Sequence, residues 1–306
     1  MSIRDLLFTT VYPGLIAGVG LLASWLLWQV AFRSAPSEAT PRGPLWVAPV
    51  VFTLAFLVAY YGFNPKPQLW PSNAVMRLHA TAAAGGAVGV LAALAAMLPA
   101  RFRWGGHLAR HALALALGAF IALAYLAPLT PHALSAPRVA VLAVASAIWL
   151  AITTAILDSV AHRLQGWRMP AALLPLVGGS VPVFLFGAYA TGAQFAGTLI
   201  ALLSAALVVG LICRRLSLER GGVIFVMGVL LSLGLIAYFF NSNSRTGPLI
   251  LLALAPIAAG VSLLPAIADR KGLLPFLAAF APMALVAGAA ALWAFLGRPD
   301  LDPYPY

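Results

Sequence analysis

The chain has 306 residues, of which 63% are hydrophobic and only 8% are charged, and its mean hydropathy is +0.99. Soluble domains carry about 25% charged residues, and a chain of this length cannot hide so much apolar surface from water, so a water-soluble globule is excluded. The net charge of +11 comes from basic residues scattered over many loops, without the cluster that nucleic-acid binding needs. We therefore expect a protein that contacts membrane lipids and no nucleic acid.

Ten apolar segments follow one another along the chain. In lipid each backbone N–H and C=O needs a partner within the protein, so runs of about 20 residues without strict alternation predict membrane-spanning helices. We predict an all-α fold, a polytopic helical bundle of about ten transmembrane helices in five hairpins. A single transmembrane domain covers residues 1–297, and a short polar tail covers residues 298–306. The predicted spans are residues 11–32, 46–63, 75–98, 112–129, 139–160, 171–190, 193–212, 222–240, 247–266 and 273–296.

Arginine follows every second span, counted from the first. Of the 18 lysines and arginines, 12 fall in the loops on that side and 6 on the other. Cytoplasmic loops are enriched in basic residues, so this side is predicted to face the cell interior, with both termini outside. We expect the protein in a cell membrane, namely a bacterial inner membrane. The arginines of this predicted inner interface are Arg33, Arg101, Arg163, Arg214 and Arg270.

Aromatic residues end the remaining spans. Spans 2, 4, 6 and 8 close on an Ala-Tyr pair, and span 10 closes on Trp293. Amphipathic rings favour the membrane–water interface, so these residues predict an aromatic belt at the outer surface. Alternatively, the Asn-rich loops after spans 2 and 8 bind a sugar or a lipid headgroup by stacking. The outer-interface residues are Tyr60, Trp70, Tyr125, Tyr189 and Tyr238.

Asp158 is the most deeply placed of the seven acidic residues, near the inner end of span 5. His162 follows four residues later, so the two side chains share a helix face. They are weak candidates for catalysis, as a proton-handling pair or as part of a polar vestibule. The alternative is an interfacial ion pair of Asp158 with His162 or Arg163 that caps the last helical turn.

Histidines offer weak candidates for a metal or haem site. His107 and His111 have the four-residue spacing that can place two imidazoles on one metal, but no glutamate lies between them and nearby arginines repel a cation. His79 and His132 are remote candidates for axial haem ligands. The sequence contains no P-loop, no Gly-x-Ser-x-Gly and only one cysteine, Cys213, so we predict neither a cofactor nor a bound metal.

Span 6 combines prolines and glycines near its centre. Each proline removes a backbone donor, and the glycines weaken the helix. One interpretation is a broken helix whose freed carbonyls line a substrate pathway. The other is a kinked but continuous helix packed against its neighbours. The residues are Pro175, Gly178, Gly179, Ser180 and Pro182.

These features favour a transporter or permease for a small or lipid-like solute. Ten predicted spans without a sizeable soluble segment, together with the unusual span 6, support that hypothesis. A second hypothesis is a non-catalytic scaffold or accessory subunit that binds other membrane subunits, because small-xxx-small pairs such as Gly14/Gly18 and Gly85/Gly89 allow close helix packing. A third is a lipid-modifying enzyme at the inner face. An enzyme is the least favoured, and no residue pattern names a substrate.

Overall fold

The computed structural model describes residues 3–31, 45–64, 68, 70–97, 103–130, 133–213, 216–241, 245–268, 270 and 272–297. These parts of the chain are helical and contain no strand. Arg33, Arg101, Arg214, His132 and the tail of residues 298–306 lie outside the described residues. The main helices are α1 (Tyr12–Ala31), α2 (Val47–Phe63), α3 (Leu78–Ala96), α4 (Arg103–Leu126), α5 (Ala136–Arg163), α6 (Arg168–Phe186), α7 (Ala190–Ile212), α8 (Gly221–Phe240), α9 (Thr246–Ala258) and α10 (Leu274–Leu296).

Short helical turns extend several of these helices. The turns Ile3–Leu6 and Leu7–Val11 lead into α1, and a 3-10 turn, Ala74–Arg77, leads into α3. A 3-10 turn, Ala259–Leu263, continues α9, which contains Pro256. Because proline lacks a backbone N–H and crowds the preceding turn, a change of helix type close behind it is expected.

Nine helical segments of the described chain are long and apolar enough to cross a membrane. The tenth, α2, is apolar but has 17 residues, close to the lower limit of about 17 residues for a spanning helix. The chain is therefore an all-helical protein with the composition of a multi-pass membrane protein. The tenth crossing, the hairpin arrangement and the side of each terminus stay predictions.

Helix α8 lies at the centre of the bundle and packs against α2, α3, α4 and α5. Its contact with α3 is made by glycine, as the small-residue spacing predicted. A Cβ on Gly89 would come within 2.8 Å of the Gly221 carbonyl oxygen, and Gly85 faces the backbone of Phe225. The two helices therefore run antiparallel in close contact.

The first helix meets the second half of the chain through another predicted small-residue pair. Gly14 faces Ala201, and Gly18 faces Ala205, so α1 and α7 run parallel along this seam. Helix α7 in turn packs on α6, and α6 on α10. The contact Gly179–Ala287 and the ring pairs Trp167–Phe276 and Phe186–Phe295 make α6 and α10 parallel as well.

Helix α6 is continuous from Arg168 to Phe186, although Pro175 and Pro182 lie inside it. The broken helix is therefore not present in the structure, and the continuous alternative describes it. Ser180 is buried, and its hydroxyl donates to the Val177 carbonyl at 2.7 Å, within the same helix. A substrate-pathway role for these residues stays a prediction.

The aromatic belt needs correction at two positions. Tyr60 is 3% exposed and Tyr125 is fully buried, so both rings lie between helices rather than at a lipid surface. Tyr189 is partly buried and contacts the Phe184 ring, whereas Trp70 and Tyr238 are about half exposed. An Ala-Tyr pair at a helix end fixes the height of the ring along the helix but not the face on which it lies.

Candidate functional site

A polar cavity of about 640 Å³ lies at one end of the bundle, and Arg163, one of the predicted inner arginines, lines it. Three helix ends and one loop enclose it: the C-terminal ends of α3 and α5, the N-terminal end of α4, and the loop that precedes α8. Helix α3 supplies only alanines, which leaves room for the polar side chains opposite. Those side chains are His107, Arg110, Asp158, Ser159, His162, Arg163, Glu219 and Arg220.

Asp158 forms an ion pair with a residue that the sequence did not connect to it. The carboxylate is 3% exposed, and Arg110 Nη1 on α4 donates to its Oδ2 at 2.6 Å. The other oxygen, Oδ1, accepts the backbone N–H of Arg220. Asp158 thus joins α4, α5 and the start of α8. Its partners are Arg110 and the Arg220 backbone, and not His162 or Arg163, the two residues considered in the sequence analysis.

His162 instead lies against Glu219. Its Nδ1 is 3.1 Å from Glu219 Oε1, and Arg220 Nε donates to the same oxygen at 3.1 Å. Glu219 is 2% exposed, and its backbone N–H donates to the Ser217 hydroxyl. In the sequence Glu219 lies in a short loop, and only the packing of this loop on α5 reveals its position.

The backbone at Arg220 takes an uncommon conformation. Its φ is +70°, in a region that residues with a side chain adopt at a cost of about 1–3 kcal/mol. This turn directs the Arg220 N–H to Asp158 while its guanidinium reaches Glu219. The two ion pairs therefore hold the turn in place, and the strain lies within the site itself.

The two histidines considered as weak metal candidates have different surroundings. His107 lines the cavity, whereas His111 Nε2 lies 3.5 Å from Arg110 Nη2. Within the described residues, no group of three or more His, Cys, Asp or Glu side chains is positioned to hold a metal ion. His79, one of the haem candidates, is buried against the Tyr60 ring with centroids 4.7 Å apart, and its Nδ1 lies 3.0 Å from the Met76 carbonyl oxygen.

A second polar cluster lies near the opposite end of the bundle. Thr81 on α3, Tyr125 on α4 and Ser232 on α8 are linked by hydroxyl contacts of 2.9 and 3.1 Å. Tyr60 on α2 donates its hydroxyl to the Met76 carbonyl at 2.6 Å. The three linked hydroxyls are fully buried. Polar groups buried among apolar helices need such partners, and here they hold α3, α4 and α8 together.

Arg77 lies at the same end of the bundle as this cluster. It is 9% exposed, its Nη1 donates to the Ala124 carbonyl at 2.7 Å, and its Nε donates to the Pro71 carbonyl at 3.0 Å. The guanidinium carbon lies 4.7 Å from the centre of the Trp70 ring. Trp70, predicted as an interface anchor, therefore also covers a buried cation.

An apolar groove of about 490 Å³ runs between α5, α8 and α9. Apolar side chains of α8 and α9 form most of its walls. At its side Trp149 Nε1 donates to the Ala253 carbonyl at 2.9 Å, which satisfies the indole N–H without water. The groove is suited to an apolar partner and carries no ionisable group apart from the Tyr238 phenol.

No protein-family model matches the chain, and no curated protein matches its sequence. The function of the site therefore rests on the chemistry of its own residues.

Proposed function

We propose that this protein is a membrane transporter for a small or lipid-like solute, which enters through the polar cavity at the arginine-bearing end. The observation that carries the proposal is the cavity itself, in which eight polar or charged side chains meet among helices of membrane-spanning length. Ionisable groups among membrane helices are costly and usually functional. Scaffold helices require no such cavity.

The arrangement of α3, α4 and α8 supports a route through the bundle. All three helices contribute to the opposite polar cluster, α3 ends at the cavity, and α4 and α8 begin there. Between the two polar regions, the glycine contact Gly89–Gly221 closes the space. In the proposed alternating-access cycle, this conformation is the one that is open at the cavity, and Arg77, Tyr60 and Tyr125 lie at the end that would open in the other conformation.

The membrane placement belongs to the same proposal. All ten helices cross the bilayer as five hairpins, with the cavity on the cytoplasmic side and both termini outside. The membrane is a bacterial inner membrane, and the chain folds as one transmembrane domain.

Reconstitution tests the proposal. The purified protein is first screened by thermal unfolding in detergent against a library of small solutes, because a ligand that binds only the folded state raises its stability. Solutes that stabilise it are then offered, radiolabelled, to proteoliposomes. We expect uptake above that of protein-free liposomes. A folded protein that takes up none of its stabilising solutes, or that leaves its native membrane as a stoichiometric part of a larger assembly, contradicts the proposal and favours the accessory subunit.

One observation favours a second candidate, an enzyme at the same face. His162 is about half exposed to the cavity while Glu219 lies against its Nδ1, and a histidine oriented by a carboxylate is a common general base. Asp158 is unsuited to that role because both of its oxygens are already engaged. Loss of turnover of an added lipid substrate in His162→Gln, with unchanged thermal stability, would support this candidate over transport.

A further inference from the structure

We propose that the cavity binds its ligand through a phosphate group, with Arg163 as the principal contact. This inference rests on the proposed function, since it names the chemical class of the transported solute. It depends on how charge is distributed around the cavity, on which side chains are already engaged, and on the number of donors that converge there.

The acidic side chains lie beneath the cavity surface. The side chains of Asp158 and Glu219 are only 2% and 3% exposed, and basic partners contact both of them. The basic side chains reach further into the space: those of Arg110 and Arg220 are 17% and 19% exposed. A ligand entering the cavity therefore meets mainly cationic groups.

The charge balance favours an anion. Three arginines and two carboxylates line the cavity, so the charges of these five side chains leave an excess of one positive charge. A phosphate monoester carries about −1.5 to −2 at neutral pH. The excess positive charge attracts such an anion, whereas it would repel a cation.

Arg163 is available for such a contact. It is exposed at the end of α5 and lines the cavity, and within the described part of the chain no carboxylate pairs with it. Arg110 and Arg220, by contrast, are each held by a buried acid. A guanidinium without a fixed partner can turn its paired N–H groups toward phosphate oxygens.

The number of converging donors favours phosphate over carboxylate. Basic side chains approach from α4, from α5 and from the loop before α8, and so from different sides. A phosphate presents three acceptor oxygens in a tetrahedral arrangement, whereas a carboxylate presents two in one plane. The same phosphate chemistry occurs in soluble phosphate esters and in the headgroup of phosphatidic acid.

Binding is measured on the full-length protein in detergent, by thermal unfolding with increasing ligand. The probes are glycerol 3-phosphate and dihexanoyl phosphatidic acid, with acetate and chloride at equal ionic strength as controls. We expect both phosphate probes to raise the unfolding temperature and the controls to leave it unchanged. The probe with the lower Kd identifies the source, a soluble ester or a lipid headgroup.

Two substitutions on the same helix form a matched pair. Arg163→Gln should weaken phosphate binding about tenfold or more, which is the effect of one charge-assisted contact, and Arg163→Lys should recover part of it. Arg138 is an exposed arginine at the other end of α5, and Arg138→Gln should leave the Kd unchanged. Equal effects of the two glutamine substitutions, stabilisation by acetate as strong as by phosphate, or no effect of either phosphate probe would overturn the proposal.

Transport of the tighter-binding phosphate probe, radiolabelled, across the membrane of proteoliposomes separates this inference from the proposed function. Binding of that probe without its transport contradicts transport and leaves the phosphate site standing. Uptake of a different solute, without phosphate binding, contradicts the phosphate site and leaves transport standing.

Discussion

Asp158 and Glu219 are the two carboxylates that the described residues bury inside the bundle, and each is joined to a basic residue. The helical spacing of Asp158 and His162 placed both side chains on one helix face, but their partners come from α4 and from the loop before α8. A single helix specifies which residues share a face. It does not specify what that face meets, so Arg110 and Glu219 could not be assigned from the sequence.

Asp158→Asn should destabilise the protein, because it leaves the Arg110 guanidinium without its buried counter-charge. Removing one partner of a buried pair costs about 3–5 kcal/mol, and we expect a clearly lower unfolding temperature in detergent. Ser159→Ala is the matched control, since that exposed hydroxyl contacts only the Ala155 carbonyl of its own helix.

The double substitution Asp158→Asn with Arg110→Gln should be less damaging than the sum of the single ones, because each removes the partner that the other leaves unpaired. Strict additivity of the three unfolding free energies would show that the pair does not couple α4 to α5.

Cys213, the only cysteine of the chain, should react slowly with maleimides in the folded protein. Its side chain is fully buried, and burial raises the pKa of the thiol above its ordinary value. Because the thiolate is the reactive form, little label should be incorporated near pH 7, and full labelling should follow denaturation in SDS. The comparison is Ser159→Cys, whose thiol would line the cavity and should label in the folded state. Equal rates at the two positions would contradict the described burial.

At the scale of the helices, α6 shows how one motif supports two structures. Its prolines and glycines are compatible with a broken helix or with a kinked continuous helix. The residues of this segment alone do not distinguish between these two structures. Contact with α10 favours the continuous helix, because Gly179 allows the backbone of Ala287 to approach closely. A membrane helix tolerates proline when neighbouring helices cover the region that the proline weakens.

Gly179→Ala and Gly178→Ala should differ in their effect on stability. A Cβ at residue 179 would lie 2.8 Å from the Ala287 carbonyl oxygen, whereas a Cβ at residue 178 would meet no atom within 4 Å. We expect Gly179→Ala to lower the free energy of unfolding by about 1–3 kcal/mol through overpacking. Gly178→Ala should be neutral or slightly stabilising, since alanine favours helix more than glycine does. Thermal unfolding of both variants in one detergent checks this, and a stable Gly179→Ala protein would mean that α6 and α10 are not in contact there.

For the molecule as a whole, the described contacts bring the predicted inner ends of α3, α4, α5 and α8 to one cavity. The opposite ends of α3 and α4 meet where Arg77 contacts the Ala124 carbonyl. The count of basic residues assigned each loop to one of two sides of the membrane. The described contacts place these two sets of helix ends at opposite ends of one bundle. The side of the membrane on which each end lies is a separate prediction.

Cysteine labelling on intact cells measures that side. In a Cys213→Ala background, Ser135→Cys lies before α5 at the predicted outer end, and Gly105→Cys lies in α4 at the predicted inner end, where a side chain meets only open space. A membrane-impermeant maleimide should label Ser135→Cys on intact cells and Gly105→Cys only after permeabilisation, because basic loops are retained inside. The reverse pattern would invert the orientation and move the cavity to the outer face.

The order and type of the helices could be predicted from residues that act locally. Apolar runs of spanning length, the arginines that follow them and the glycine pairs of α1 and α3 have consequences that do not depend on distant parts of the chain. The site could not be predicted, because the Ala-Tyr pairs and the polar residues at helix ends look alike whether they face lipid or protein. Tyr125 is buried and Tyr238 is about half exposed, although both follow alanine at a helix end.

The sequence by itself indicated that lipid is the solvent of this protein, through its composition, and that helices are its building elements, through apolar runs of about 20 residues without strict alternation. Only the tertiary structure decided that Arg110, Asp158, His162 and Glu219 meet around a cavity. The physical reason is that helix formation satisfies the backbone locally, whereas a buried charge is stabilised by whichever partner the packing of separate helices brings to it.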